Sequence, residues 1–191
     1  MKRVVLTLLA VGFLGVAAHA ETYTIDPYHS SVSFKIKHVV GKVTGKFDKF
    51  TGSFNYDPAH LDKASAEATI DATSVDTGID KRDNHLRSPD FFDALKFPTL
   101  TFKSTGVTDV NGNSAKLHGD LTMHGVTKPV VLDLEIEGVA KDPKGNTHAG
   151  ASATGHVARS DFGIGPTSGP MSGMVGSDVE ISIEVEAMQK Q

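Results

Sequence analysis

Apolar and polar residues alternate with a period of two along most of this chain. Val32, Phe34 and Ile36 interleave with Ser31, Ser33, Lys35 and Lys37. Val130, Leu132, Leu134 and Ile136 do the same with Val131, Asp133, Glu135 and Glu137, and Val179, Ile181, Ile183 and Val185 with Asp178, Glu180, Ser182 and Glu184. Such alternation marks antiparallel strands with one buried and one wet face. Softer runs cover 42–56, 63–75, 98–105, 114–124 and 147–157. Between them stand the turn sequences YDP at 56–58, NGN at 111–113, HGV at 124–126 and DPKGN at 142–146. The pattern predicts an all-β fold of about eight antiparallel strands on short connections. Closure into a barrel disposes of the edges that an open sheet would expose.

Two stretches break the period. KRDNHLRSPDFFD at 81–93 packs charges, a His and two Phe into one strand-to-strand connection. Ser88 followed by Pro89 reads as an N-cap with proline at the first helical position, with Asp90 and Asp93 favourable near that start and 80–86 as the turn before it. One or two short helices are predicted, with Phe91 and Phe92 packed into the barrel mouth and Leu86 and Leu95 beside them. The second stretch, GIGPTSGPMSGMVG at 163–176, is too rich in Gly and Pro for regular structure. It reads as a mobile loop whose Met171 and Met174 either adapt to a ligand or are incidental.

The N-terminus carries a different signal. Lys2 and Arg3 precede the apolar run VVLTLLAVGFLGV, and Ala18-His19-Ala20 is a small-x-small cleavage site. Residues 1–20 are expected to be a cleaved signal peptide, leaving one domain over 21–191 in the periplasm. No later run approaches the ~18 apolar residues of a membrane span, so no stable membrane anchor is expected. The chain has no Cys, which excludes a lipidated cysteine and a disulfide framework. Without Lys2 and Arg3 the balance is 17 bases against 23 acids, a net charge of −6 with His neutral. Interspersed acids of that excess make nucleic acid an unsuitable partner.

Two predicted strands have small inward faces: Ala64, Ala66, Ala68, Ile70 and Ala72 on one, and Ala149, Ala151, Ala153, Gly155 and Val157 on the other. Either large residues opposite interdigitate with the alanines, or the space holds a ligand. An eight-stranded barrel is of the size that can do either. Strands of ten or eleven residues tilted near ~40° make a barrel roughly 25–28 Å tall, whose narrow lumen suits an extended hydrocarbon. At about 0.8 kcal/mol per buried methylene, a few prenyl or acyl units suffice for micromolar binding.

Five segments, HSSVSFKIKH at 29–38, GKFDKFTGSFNYDP at 45–58, ATSVDTGIDKRDNHLRSPDFFDALKFPTLTF at 72–102, GDLTMHGVTKPVVL at 119–132 and ARSDFGIG at 158–165, together closely resemble the YceI-like family of exported bacterial proteins. The resemblance covers essentially all of 21–191. It implies an extended lipocalin-like barrel around a long apolar cavity, a polyisoprenoid, isoprenoid quinone or other long-chain lipid as ligand, no cofactor beyond that lipid, and homodimers among its members. The expected role is carriage, storage or stress response.

The lumen candidates follow from the alternation. They are Phe34 and Ile36, then Phe54, Ala68 and Ile70, then Leu100 and Phe102, then Leu117, Leu121 and Met123, and Ala151, with Phe91 and Phe92 at the mouth. Arg82, His85 and Arg87 are the headgroup candidates. Against them stands an enzyme using Arg82, Asp83 and His85 with Ser88 as nucleophile, or a ligand-free interaction or stress protein. No G-x-S-x-G elbow supports the enzyme, and adjacent residues of a short helix point apart. The histidines lack metal-ligand spacing: His118 and His124, placed on one strand face, are six residues apart, about 20 Å. His29 and His85 read as buried hydrogen-bonding partners. Gly163-x-Gly165 is not followed by a third glycine or a helix, so no phosphate cradle forms.

Overall fold

The computed structural model describes residues 20–166 and 172–190. Eleven strand segments, β1 (Glu21–Ile25), β2 (Ser31–His38), β3 (Gly41–Phe47), β4 (Phe50–Tyr56), β5 (Ser65–Asp71), β6 (Val75–Asp76), β7 (Thr99–Asn111), β8 (Ser114–Met123), β9 (Val126–Lys141), β10 (Thr147–Ala158) and β11 (Val175–Gln189), form one antiparallel sheet. Pairing of Tyr23–Ile25 with Ala187–Gln189 closes it into a ring. The count of eight holds because six segments make three broken strands. β11 pairs first with β2 and then with β1; β3 and β4 pair with β2 and β1; β6 and β5 pair with β3 and β4.

The breaks fall side by side, so the wall bends as a unit. At the second break the Asp48 N–H donates to the Ser74 carbonyl (3.1 Å) and the Lys49 N–H to Ser74 Oγ (3.0 Å). At the third, Asp71 caps a 3-10 turn over Ala72–Ser74 by accepting from the Thr73 N–H (2.8 Å) and hydroxyl (2.7 Å). The runs 42–56 and 63–75 are therefore each interrupted where a polar side chain offers the backbone another partner.

β6 is two residues long, and β7 pairs with β5 only as far as Thr99. The connection between them fills the wall left without a strand. Its helix, α1, runs Asp80–Arg87, and Ser88 ends it instead of starting one. Pro89 forces that: the residue before proline avoids the helical region, and Ser88 is extended (φ −72°, ψ 168°). Asp80 and Asp83 sit in the first turn and His85 and Arg87 in the last, as the helix dipole favours. Asp83 is buried and accepts from the Thr77 N–H (2.9 Å) and hydroxyl (2.5 Å). Leu86, Phe91 and Phe92 pack inward, whereas Leu95, expected beside them, is almost wholly exposed.

The far end of the barrel is closed by side chains. Tyr23, Tyr56, Leu61, Ala149 and Ala187 are buried together, with Ala151 packed against them, and Tyr23 stacks on Phe54 at 5.2 Å. Ala149 and Ala151 of the small β10 face thus admit this plug. At the other end Arg159, just beyond β10, is buried with its guanidinium spent on backbone. Nε donates to Gly176 O (2.8 Å), Nη1 to Ile164 O (2.6 Å), and Nη2 to Pro166 O and Val175 O (both 3.1 Å). Those carbonyls belong to both limbs of the Gly-Pro-rich connection, of which residues 167–171, with Met171, lie outside the described residues.

Arg159→Met should lower unfolding free energy by at least about 3 kcal/mol, because several hydrogen bonds to a charged group vanish together and their carbonyls are left unpaired. Arg159→Lys should recover little, since an ammonium cannot span the same fork. Urea unfolding reads both. In the β9–β10 turn the Asn146 amide first, then the backbone N–H groups of Asn146 and Lys144, hold the Asp142 carboxyl down from 3.8 to about 2. A depressed carboxylate stabilises above its unfolded value and loses that contribution as the pH falls through its folded one. Asp142→Ala should therefore destabilise at neutral pH and have a shrinking effect as pH drops from 3.8 toward 2. An NMR carboxyl midpoint near 3.8 would contradict it.

Candidate lipid site

Among the described residues, two cavities lie between the inward faces. The larger, about 320 Å³, lies under α1 and the β2–β3 hairpin; the smaller, about 110 Å³, lies toward the plug. The first is at the low end of the range of ~300–1,000 Å³ usual for small-molecule sites. Ile25, Ala68, Phe102, Ile183 and Val185 border both and form a waist. The waist is built by complementary sizes on neighbouring strands. A Cβ on Gly119 would lie 2.4 Å from the Phe102 ring and one on Gly52 would lie 2.8 Å from the Ile25 side chain, so these two large residues lie over glycines. Phe34 covers Gly45 in the same way, at 2.4 Å. Ala68, in register with Gly52 and Phe102, is the smallest residue of the waist.

The expected lumen residues divide between the chambers. Phe34, Ile36, Ala68 and Ile70 line the larger one, as do Leu100, Phe102, Leu121 and Met123. Phe91 and Phe92 stand at its outer end, with Phe92 edge-on to Phe47 at 5.7 Å. Phe54 and Leu117 line only the smaller chamber. Ala151 borders neither, because Tyr23 and its neighbours fill the barrel at that level.

The mouth is polar. His38 and His85 both line the larger cavity and are solvent-exposed, which places the opening between the end of β2 and α1. Arg82 lines it too, with Nε donating to Thr77 Oγ1 (2.7 Å) and Nη2 to the Thr77 carbonyl (2.9 Å). Arg87 does not reach it. Its Nε and Nη2 donate to the carbonyls of Thr73 and Val75, both at 2.7 Å, and so pin α1 to the wall. His85 packs edge-on against Phe91 (4.9 Å) with Nε2 3.3 Å from Asp90, and is half exposed where a buried partner was expected. His29 is likewise exposed, paired with Asp26 at 2.8 Å. Ser88 Oγ donates to the His85 carbonyl (2.7 Å), not to an imidazole.

Arg159 was not among the sequence candidates, although the alternation reaches it: Ala153, Gly155, Val157 and Arg159 share one parity, as do Phe34, Ile36 and His38. It lines the larger cavity. Burial pulls its pKa down, and no carboxylate stands opposite it among the described residues. His118 bonds Thr108, while His124 sits in the turn after β8 against Phe97 and not on a strand face. No group of three metal-ligating side chains occurs among the described residues.

Known proteins share this architecture. A UPF0312 protein of Vibrio cholerae is 41% identical over 96% of this chain and 98% of its own length. The crystal structure of a Campylobacter jejuni YceI protein superposes with a TM-score of 0.72 at 34% identity over the whole of both chains. A polyisoprenoid binding domain from Saccharophagus degradans, implicated in plant cell wall breakdown, shares the fold at 17% identity, with a TM-score of 0.66 over 88% of this chain and 98% of its own. The model of the YceI-like domain matches residues 23–187, nearly the whole barrel, and this chain is therefore a member of the YceI-like family.

Proposed function

We propose that this protein binds a single long-chain apolar lipid (a polyisoprenoid, an isoprenoid quinone or a fatty-acyl compound) in the barrel lumen. The observation that carries the proposal is the apolar cavity of about 320 Å³ that runs from a polar mouth to the waist at Ala68 and Phe102, with a second chamber beyond. A chain entering tail-first meets a predominantly apolar lining below the mouth, and each methylene it buries contributes about 0.8 kcal/mol. The polyisoprenoid binding described for the Saccharophagus degradans domain supports the same class of ligand. In this reading Phe34, Ile36, Ile70, Leu100, Leu121 and Met123 hold the proximal chain, and Phe54 and Leu117 its distal end.

The 1–20 leader directs the protein to the periplasm, where a soluble barrel carries or stores a lipid that water does not dissolve. The 80–90 cluster serves this role as wall and mouth rather than as an acid–base set. Its Asp83 and Arg87 are committed to holding α1, and Ser88 to ending it.

Native mass spectrometry of protein purified from the periplasm of a lipid-replete bacterium, with extraction of what is released, tests the proposal. A discrete added mass of an isoprenoid or acyl compound is expected; a bare protein mass with no uptake of added polyprenol, quinone or fatty acid would overturn it. Ala68→Phe should block the waist and abolish uptake of long chains while sparing short ones. Ala151→Phe should leave chain-length selectivity unchanged, its effect falling on stability at the plug. Phe102→Ala should merge the chambers, lengthen the longest chain retained and destabilise the fold by about 3 kcal/mol.

A further inference from the structure

The turn between β2 and β3 breaks two local rules. His38 is in register with Gly41, so Val39 and Val40 alone make the connection. Two-residue hairpin turns favour Asn, Asp and Gly, because at least one central residue needs a positive φ. Here Val39 supplies it, at φ 52°, a conformation that strains a β-branched residue. Packing does not explain the choice of valine, since Val39 is 49% exposed and Val40 99%. The second rule concerns charge. Lys37 and Lys42 stand directly opposite each other behind the tip, where like charges repel.

The whole hairpin is cationic. Residues 31–47 hold Lys35, Lys37, Lys42 and Lys46 and no acid, in a chain with 23 acids against 19 bases. Phe34, Ile36 and Val43 line the cavity, so these lysines occupy the opposite, outer face. Glu180 answers Lys35 (3.9 Å) and Lys42 (3.3 Å), and Asp48 and Asp76 answer Lys46 (2.8 and 3.5 Å). Among the described residues Lys37 has no carboxylate within ion-pair distance. The Val39 N–H donates to the Met174 carbonyl (2.8 Å), which brings a third exposed apolar residue beside the tip. β3 has a strand on its far side only at Lys46 and Phe47, so the tip stands clear of the wall there. Leu95 and Lys96, both exposed, repeat the pairing of an aliphatic with a lysine on the connection into β7. An antiparallel ring puts the start of β7 at the end of the barrel where β2 finishes.

We propose that the Val39–Val40 tip docks the barrel reversibly on a bilayer surface that carries anionic headgroups. The two valines, with Met174 beside them, enter the interfacial layer. Lys37 and Lys42 meet bilayer phosphates from the outer face of the hairpin, outside the cavity, and their mutual repulsion is relieved there. Apolar residues flanked by cations hold a protein at such an interface without spanning it. Among the described residues no helix is long and apolar enough to cross a membrane, so the hairpin supplies a contact and not an anchor. The surface is separate from the lumen and its docking requires no bound ligand. Together with the lipid-binding reading, it sets the opening beside β2 against the source of the ligand.

Cosedimentation of protein purified from the periplasm with vesicles of phosphatidylglycerol and phosphatidylethanolamine tests the docking. The protein should pellet with these vesicles and stay in solution with vesicles of phosphatidylcholine alone. It should be released by about 1 M salt, where the screening length falls to ~3 Å. Val39→Gly combined with Val40→Asn gives the turn a sequence it favours, so the melting temperature should hold or rise. Binding to the anionic vesicles should nonetheless fall at least about tenfold. Lys37→Gln should keep the fold and weaken the same binding about fivefold. Wild-type protein that stays in solution with the anionic vesicles would overturn the proposal, as would a folded double variant that binds them equally well. A concentration-dependent dimer that the double variant loses, with no vesicle binding by the wild type, would assign the tip to a second copy instead. Uptake of detergent-dispersed polyprenol, quinone or fatty acid should be unchanged in the double variant, so a failure to dock leaves lipid binding standing. Absence of uptake by either protein would overturn the lumen reading alone.

Discussion

Backbone pairing around a closed ring is the constraint on which this structure depends. Eight strands leave no edge only if the last finds the first, and here β11 does so by pairing with β2 over one part of its length and with β1 over the rest. The breaks in the first three strands preserve that closure while bending the wall. Their polar groups, Asp71, Ser74 and the backbone of Asp48 and Lys49, bond to each other across the bend, so the ring changes direction without leaving buried donors unpaired. The short β6 is the exception: β7 begins only at Thr99, and the helix and turn between Asp80 and Pro98 occupy the stretch of wall before it.

Closure creates a lumen that must be filled, and the barrel fills it unevenly. At one end two tyrosines, a leucine and small residues of β10 and β11 make a solid plug. In the middle, large side chains lean over glycines of neighbouring strands and narrow the bore. At the other end the inward positions are apolar but do not meet. A packed interior and a cavity are therefore not alternatives here; the same alternation yields both, according to whether the opposing wall offers Tyr23 or Ala68.

The charges at the open end follow a different logic. Arg87 and Asp83 are spent on holding the helix, whereas Arg82 and Arg159 combine a structural bond with a place on the cavity wall. Arg159 ties both limbs of the Gly-Pro-rich connection to the end of β10 and so shapes the rim of the cavity it lines.

Strand number, antiparallel order, the inward parity of residues such as Phe34, Ile70 and Leu121, and family membership were all legible in the sequence, because a period of two and local turn chemistry are properties of short segments. Arg159 and His38 were legible by the same parity but are polar, and a polar residue at the end of an apolar alternation reads as the end of the strand. Other features depend on partners distant in sequence. Ala151 has the same neighbours in the chain as a lumen residue, and only Tyr23, 128 positions away, makes it part of a plug. Arg87 and Arg82 are five residues apart on one helix, and the wall behind them decides that one anchors and the other faces the cavity. Ser88-Pro89 suits a helix start as well as a helix end, and the packing of Leu86 and Phe92 against the barrel chooses the end. The sequence by itself determined which faces turn inward; the tertiary structure decided which of those faces meet, since contact across a barrel is set by the register and size of strands far apart in the chain.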